Sequence, residues 1–437
     1  MTTPETTHRG PALPTGASLV VRQDRRLARA QARSHRYLLI DIVAPTQSLD
    51  PSRRRPPVNL AFVLDRSGSM NGSNKLPLAK QAVLEAIGRL DDPDRFSVVS
   101  YDDRVDVVHG GSVATPASRR IAAEQLRSIE PRGNTNLHAG WLTGCEQVAA
   151  GLVADGVNRV LLLTDGLANA GVTNPAELSK LAFELRQRNV TTSTFGVGAD
   201  FDERLLEAMA DSGGGHFYFV GSVSEMRDHI TSEGGQPLEI VARGVTVEVA
   251  VPDSVRVTPL SPFPVERTRG GVRILLGDLV SGQVISLAVD LGLDYGDVGR
   301  EIGAVCRIAD RDGAFAGVAP ASLTWAYADN AANDAQPRER AVDRVVARAY
   351  AERARQEAVQ LNREGRYEEA AAAVEGVRRR VAAYAGDDPE LLAILGGLEM
   401  DRPAYSVAMA EVDRKERYFQ SSNMLKARTA EGRSKRA

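Results

Sequence analysis

The sequence predicts an α/β protein in which a doubly wound, mostly parallel sheet is inserted in an antiparallel β-sandwich and followed by a C-terminal helical region. Three observations carry this expectation. Between Val58 and Gly235, short and nearly continuous apolar runs alternate with helical periods. That is the pattern of a parallel sheet covered on both faces. From Leu238 to Tyr327 the runs become short β segments punctuated by Gly, Pro and Asp. Beyond residue 337, Ala, Glu and Arg recur at helical spacing.

Taken in order, residues 1–17 are rich in Thr, Pro and Gly and are expected to be disordered. Residues 18–45 hold two β-like runs around an Arg-rich stretch, and "DPSRRRPP" follows as a linker. The strands after Leu238 make a lopsided sandwich alone. Residues 18–55 and 238–330 are therefore expected to form one discontinuous β-domain around the block 56–235.

Inside that block, "VNLAFVLD", "FSVVSYDD", "NRVLLLTDG", "VTTSTFGVG" and "HFYFV" read as strands. The helices between and after them are "LPLAKQAVLEAIGRL", "SRRIAAEQLRSI", "LHAGWLTGCEQVAAGLV", "NPAELSKLAFELRQRN", "DERLLEAMADSGG" and "SVSEMRDHITSE". Trp141 and Phe217 are assigned to the core, His138 to a helix start and His216 to a strand start. Residues 337–400 resemble one tetratricopeptide-like hairpin with "EGRYEEA" at its turn. A solenoid needs about three such repeats, so a helical bundle docked on the β-domain is expected. Residues 401–437 are basic and read as a solvated, partly disordered tail.

Composition narrows the function classes. Of the 437 residues, 43% are hydrophobic and 25% charged, as in an ordinary globular protein. A net charge of −3 supplies no global attraction to nucleic acid, and the basic stretches lack interleaved aromatics. Cys145 and Cys306 form no CxxC pair, which argues against a disulfide framework or a thiolate zinc site. The N-terminus lacks the basic and apolar regions of a signal peptide, and no apolar run approaches the ~20 residues of a membrane span. A cytoplasmic protein is expected.

The segment "FVLDRSGSMNG", residues 62–72, then stands out. Directly behind a buried strand it presents Asp65, Ser67 and Ser69 at alternate positions. All three offer oxygen and none offers nitrogen or sulfur, the donor chemistry of hard cations such as Mg²⁺. Two further loops of the block supply oxygen donors. "PRGNTNLHAGW" places Thr135 before a helix, and "LLLTDGLAN" places Asp165 at a strand end. In a doubly wound sheet, ligands bind beyond the carboxyl ends of the strands.

With Asp65-Arg66-Ser67-Gly68-Ser69, Thr135 and Asp165 in this order, the block resembles the von Willebrand factor A (VWA) domain family, in bacterial and inter-alpha-trypsin-inhibitor heavy-chain-like form. The family carries a metal-ion-dependent adhesion site (MIDAS) built from an Asp-x-Ser-x-Ser motif and a distant Thr and Asp. The resemblance spans roughly residues 56–235. It implies a VWA-type Rossmann-like domain whose metal ligands are Asp65, Ser67, Ser69, Thr135 and Asp165. It also implies Mg²⁺, or Mn²⁺ or Ca²⁺, as the cation, and exchange of Thr135 and Asp165 as direct ligands between open and closed states. The family commonly has Gly immediately before the Thr, where this chain has Asn134.

A first shell of mostly neutral oxygens leaves the cation strongly electrophilic, so an Asp or Glu of a protein partner can complete its coordination. A non-enzymatic, metal-dependent protein-interaction module or scaffold is the leading expectation. A metal-assisted hydrolase would want a base nearby, and Asp102 and Asp103 are the obvious acids; a charged turn bonded to the metal loop is the preferred reading of that pair. A third expectation is an accessory subunit of an AAA+ ATPase. The chain has no GxxxxGK[ST] loop, so nucleotide chemistry would come from that partner.

Overall fold

A computed structural model describes residues 16–46, 57–154, 156–220, 225, 229, 240–430, 432 and 434–436. Nearly all of the expected N-terminal disorder and of the Pro/Arg linker lies outside the described residues. So does the helix expected over 222–233, apart from Glu225 and His229.

The β-domain is built from both sides of the inserted block. Strands β1 (Ser18–Gln23), β2 (Leu27–Arg29) and β3 (Ser34–Val43) precede the block. After it come β10 (Ile240–Ala250), β11 (Val255–Pro259), β12 (Val265–Thr268), β13 (Gly271–Val280), β14 (Val284–Leu293), β15 (Glu301–Ala309) and β16 (Ala321–Ala328). One sheet runs β1-β3-β14-β11 and the other β12-β13-β10-β15-β16-β2. β3 and β14 pair antiparallel from Val43↔Val284 to Ser34↔Leu293, so the two halves of the chain close one sheet across the insertion. The strand inside the Arg-rich stretch, β2, adds parallel to β16. Leu38, Ile40 and Ile42 of β3 point into the sandwich core, while Leu39 on the opposite face meets the helices described below. That double burial is why "LLIDIV" reads as continuous rather than alternating.

The inserted domain has a six-stranded sheet in the order β6-β5-β4-β7-β8-β9. Its strands are β4 (Val58–Asp65), β5 (Arg95–Tyr101), β6 (Val105–Val113), β7 (Val157–Thr164), β8 (Thr191–Val197) and β9 (Gly214–Val220). All pairs are parallel except β5–β6. The antiparallel edge strand β6 escaped the sequence reading, because "VDVVHGGSV" is half-exposed and broken by two glycines. Helices α1 (Lys75–Gly88), α2 (Pro116–Arg127), α3 (Leu137–Ala149), α4 (Pro175–Gln187) and α5 (Glu203–Ser212) cover the sheet. Their starts follow local chemistry: the side chains of Thr115, Asn136, Asn174 and Asp202 accept bonds from first-turn amides, and Pro116 and Pro175 occupy first-turn positions.

Helix α3 lies so close to the sheet that a Cβ on Gly144 would fall 2.3 Å from Val63 Cγ2. Gly144→Val should therefore lower stability by about 1–3 kcal/mol through overpacking. An unchanged urea midpoint would contradict this packing.

The C-terminal region holds a short helix α6 (Asn330–Ala335), then α7 (Arg340–Arg363), α8 (Tyr367–Ala385), α9 (Pro389–Tyr405) and α10 (Glu411–Leu425). The α7–α8 turn falls in the expected "EGRYEEA", with Gly365 at φ +76°. Val342, Val346 and Ala349 of α7 cover Leu39 and Ala288 on the outer face of the β3–β14 sheet. The ring of Tyr350 meets that of Tyr37 edge-on, with centroids 6.1 Å apart.

The stretch 401–437, expected as a solvated and partly disordered tail, instead contains α10, and α10 docks on the inserted domain. Buried Lys415 donates to Glu203 Oε2 (2.9 Å) and to the carbonyl of Phe201, and its ammonium lies 4.3 Å from the Phe201 ring centroid. Glu207 accepts from Lys426 (2.8 Å), Tyr418 and Ser422. Lys426 also pairs with Asp211 at 2.7 Å. The basic groups looked solvated in sequence because their carboxylates sit some two hundred residues earlier, on α5. Farther on, Lys435 O accepts from Val284 N, tying the end of the chain to β14. No helix among the described residues is long and apolar enough to cross a membrane.

Candidate metal centre

The sheet order turns around at β4. Its neighbours β5 and β7 lie on opposite sides, and the connections leave in opposite directions. This is the topological switch point at which open α/β sheets bind ligands. Asp65 ends β4, and Asp165 follows the last residue of β7. The chain between β4 and α1 forms a 3₁₀ turn, Gly68–Asn74, that carries Ser69. Asp65, Ser67, Thr135 and Asp165 are buried, whereas Gly68 and Ser69 are exposed, so the cluster opens to solvent on one side.

Hydrogen bonds connect four of the five residues singled out from sequence. Ser67 N donates to Asp65 Oδ1 at 2.8 Å. The Ser67 and Ser69 hydroxyls lie 3.0 Å apart, and Ser69 donates to Asp165 Oδ1 at 2.7 Å. The fifth, Thr135, stands across a narrow gap. A Cβ on Gly166 would sit 3.0 Å from Thr135 Oγ1 and 3.7 Å from Ser69 Oγ. The chain thus brings two carboxylates and three hydroxyls to one place. Among the described residues there is no group of three or more His, Cys, Asp or Glu suited to a metal; hydroxyls make up the rest of this donor set.

The loop carrying Thr135 is shaped by Gly133, not by a residue directly before the threonine. Gly133 has φ +68°, and a Cβ there would lie 1.9 Å from Asp103 Oδ1. Glycine takes that positive φ without the penalty a Cβ brings. Asn134, which stands where the family commonly has glycine, follows this Gly133 turn and does not itself have a positive φ. The same loop is bonded to its neighbours through Gly68 N to Gly133 O (3.1 Å), Arg132 N to Arg66 O (2.8 Å) and Asn136 N to Asp102 O (2.9 Å).

Asp102 serves this framework. Its carboxylate accepts from Arg66 Nε at 3.0 Å and Arg132 Nε at 2.6 Å. Burial alone would raise its pKa, but the Arg104 amide and the two guanidiniums hold it below the ordinary carboxylate value. Asp103 is exposed and lies against Gly133.

Three further residues touch the cluster and were not singled out from sequence. Thr164 donates to Asp65 Oδ2 at 2.6 Å, and Tyr101 OH lies 3.5 Å from the same oxygen. Lys75 Nζ donates to Asp165 Oδ2 at 2.6 Å. Thr164 was detectable as the neighbour of Asp165. Lys75 carried no local signal, since lysine at a helix start is ordinarily solvated.

Burial pushes the Asp65 carboxyl from 3.8 up to about 6, against the lowering bonds from Thr164 and Ser67. A raised folded-state value means linked stability that is fully present below pH 3.8 and lost as pH rises through about 6. With chelator, the stability of Asp65→Asn relative to the parent should therefore be greater at neutral pH than at about pH 4. Urea titrations at the two pH values check the sign, and equal effects at both would refute it.

The profile of the von Willebrand factor type A domain family matches residues 59–232. The uncharacterized protein YfbK of Escherichia coli (strain K12) is 30% identical over 278 residues, covering 61% of this chain and 47% of that protein. Inter-alpha-trypsin inhibitor heavy chain H1 of Mesocricetus auratus is 32% identical over 158 residues, covering 35% of this chain and 17% of the inhibitor chain. The chain thus spans less than half the length of either relative. A solved structure, von Willebrand factor type A from Catenulispora acidiphila, matches with TM-score 0.67 and 17% identity over 97% of this chain and 98% of that one. At that identity the likeness is one of fold, and it extends through the β-sandwich and the helical region. Sheet order, profile and structural likeness agree: this chain carries a von Willebrand factor type A domain at residues 59–232.

Proposed function

We propose that the chain is a metal-dependent protein-interaction module without enzymatic activity of its own, in which Asp65, Ser67, Ser69, Thr135 and Asp165 hold Mg²⁺, directly or through bound water, and a partner's Asp or Glu completes the coordination. Domains of this family generally mediate protein–protein contacts. One observation carries the metal reading. Three loops bring two carboxylates and three hydroxyls together at the switch point of the sheet, on a side that opens to solvent at Ser69. The all-oxygen donor set and the gap beside Gly166, which a methyl group would fill, agree with it.

When bound, the cation would supply a Lewis-acidic position open to an outside carboxylate. The chain's own groups do the rest. Thr164 and the Ser67 amide orient Asp65, the Arg66–Asp102–Arg132 cluster holds two of the loops together, and exposed Ser69 marks the open side.

Calorimetric titration with Mg²⁺ should show one site in the parent chain and none in Asp65→Ala. A pull-down from the native source should lose the same proteins with chelator and with Asp65→Ala. A parent chain that takes up neither Mg²⁺ nor Mn²⁺ would refute the reading.

A further inference from the structure

Lys75 is built into the metal cluster. It is the first residue of α1, directly after Asn74, which has φ 57°. Its side chain is only 14% exposed, unusual for a lysine at a helix start. The stem passes over Gly198, where a Cβ would lie 3.0 Å from Lys75 Cε, and Gly198 has φ +76°. The ammonium then reaches Asp165 Oδ2 at 2.6 Å, with Asp200 Oδ2 at 3.5 Å on its other side. Asp200 is 70% exposed, so this second contact is weak. The first is not, because Asp165 is fully buried and its other oxygen already accepts from Ser69. Asp165 is thereby held at both oxygens.

Resting on the proposed metal site, we infer that Lys75 is a positioning residue that restrains Asp165 from ligating the cation directly and offsets its negative charge. The physical consequence has two opposing parts. With Asp165 engaged by the Lys75 ammonium, a cation held here would feel less of that carboxylate and would bind less tightly to the partner-free module. It would also retain a water and more of its own charge, which would favour an outside carboxylate as ligand. Lys75 thus trades affinity for the metal against affinity of the metal for the partner. A merely structural ion pair between α1 and the β7 loop would behave otherwise: its loss would lower stability and leave metal uptake unchanged or weaker.

The test uses Mn²⁺ as probe on the full chain, with free Mn²⁺ read by electron paramagnetic resonance and bound waters by water-proton relaxation. Lys75→Met, of similar length and without charge, should bind Mn²⁺ roughly ten-fold or more tightly than the parent. It should retain one fewer water on the bound ion, and acetate should displace water from it less readily. Lys75→Arg, which keeps the charge, should stay close to the parent. Lys75→Gln serves as the second neutral variant if Lys75→Met does not fold, judged by circular dichroism. Unchanged or weaker Mn²⁺ binding in a folded neutral variant, or an unaltered water count, would overturn the inference. Absence of Mn²⁺ binding in the parent would instead defeat the metal site itself, so the two failures are distinguishable.

Discussion

A Glu207→Leu variant should unfold about 3–5 kcal/mol more easily than the parent chain. Glu207 sits on α5 and receives Lys426, Tyr418 and Ser422 from the C-terminal segment. Removing the carboxylate takes one of two acidic partners from the largely buried Lys426 ammonium and leaves the Tyr418 and Ser422 hydroxyls without this acceptor. A group left short of a partner costs more than the pair contributed. Lys426 retains Asp211, which keeps the loss at the lower end of that range.

The pH dependence follows from the same groups. Burial alone would raise the pKa values of Glu203 and Glu207, but Lys415 and Lys426 respectively hold them below the ordinary 4.5. A depressed folded-state value gives stability present above pH 4.5 and lost as pH falls through the folded value. Asp211 beside Lys426 is pushed the other way, up to about 6, by burial and by the neighbouring Glu207. Below pH 4.5 protonation of Glu203 and Glu207 should release α10 from the VWA domain, and at higher pH in Glu207→Leu. Urea unfolding with Phe419 replaced by Trp as a reporter would follow it. A loss below about 1 kcal/mol would show that α10 docks without this network.

Trp141→Ala should cost a similar about 3–5 kcal/mol and weaken the proposed metal binding as well. Trp141 is fully buried on α3, and its indole N–H donates to Thr192 Oγ1 on β8 at 3.1 Å. It pins α3 to the sheet, and the first turn of α3 directly continues the loop that presents Thr135. Trp141→Phe, which keeps most of the volume and loses the bond, should cost only about 1 kcal/mol. Denaturant titration separates the two variants. Full Mg²⁺ affinity in a folded Trp141→Ala protein would show that the Thr135 loop is held by its backbone bonds alone.

The inserted domain was legible because its signals are local. A parallel strand such as "VNLAFVLD" is buried on both faces and reads as one apolar run, while Asn136, Asn174 and Asp202 mark helix starts within a few residues. The motif Asp65-x-Ser67-x-Ser69 is likewise contiguous, and Thr135 and Asp165 follow at strand ends or loops beside helices. What escaped depended on distant partners. Nothing around Lys75 announces that β7 will bring Asp165 to its ammonium. Nothing in "RKERYFQSSNMLK" announces Glu203 and Glu207.

The sequence by itself determined the alternating α/β block, the oxygen-only character of its loops and the helical C-terminal region, since each rests on periodicity or residue type over short spans. A β-domain completed from both sides of the insertion was also expected from sequence, but only the tertiary structure decided that β3 pairs with β14 within it and that the basic C-terminal segment is a docked helix. It alone decided, too, that a lysine shares Asp165 with the site. Those outcomes depend on which charges and edges meet after folding, and complementarity between segments hundreds of residues apart leaves no periodic trace in either one.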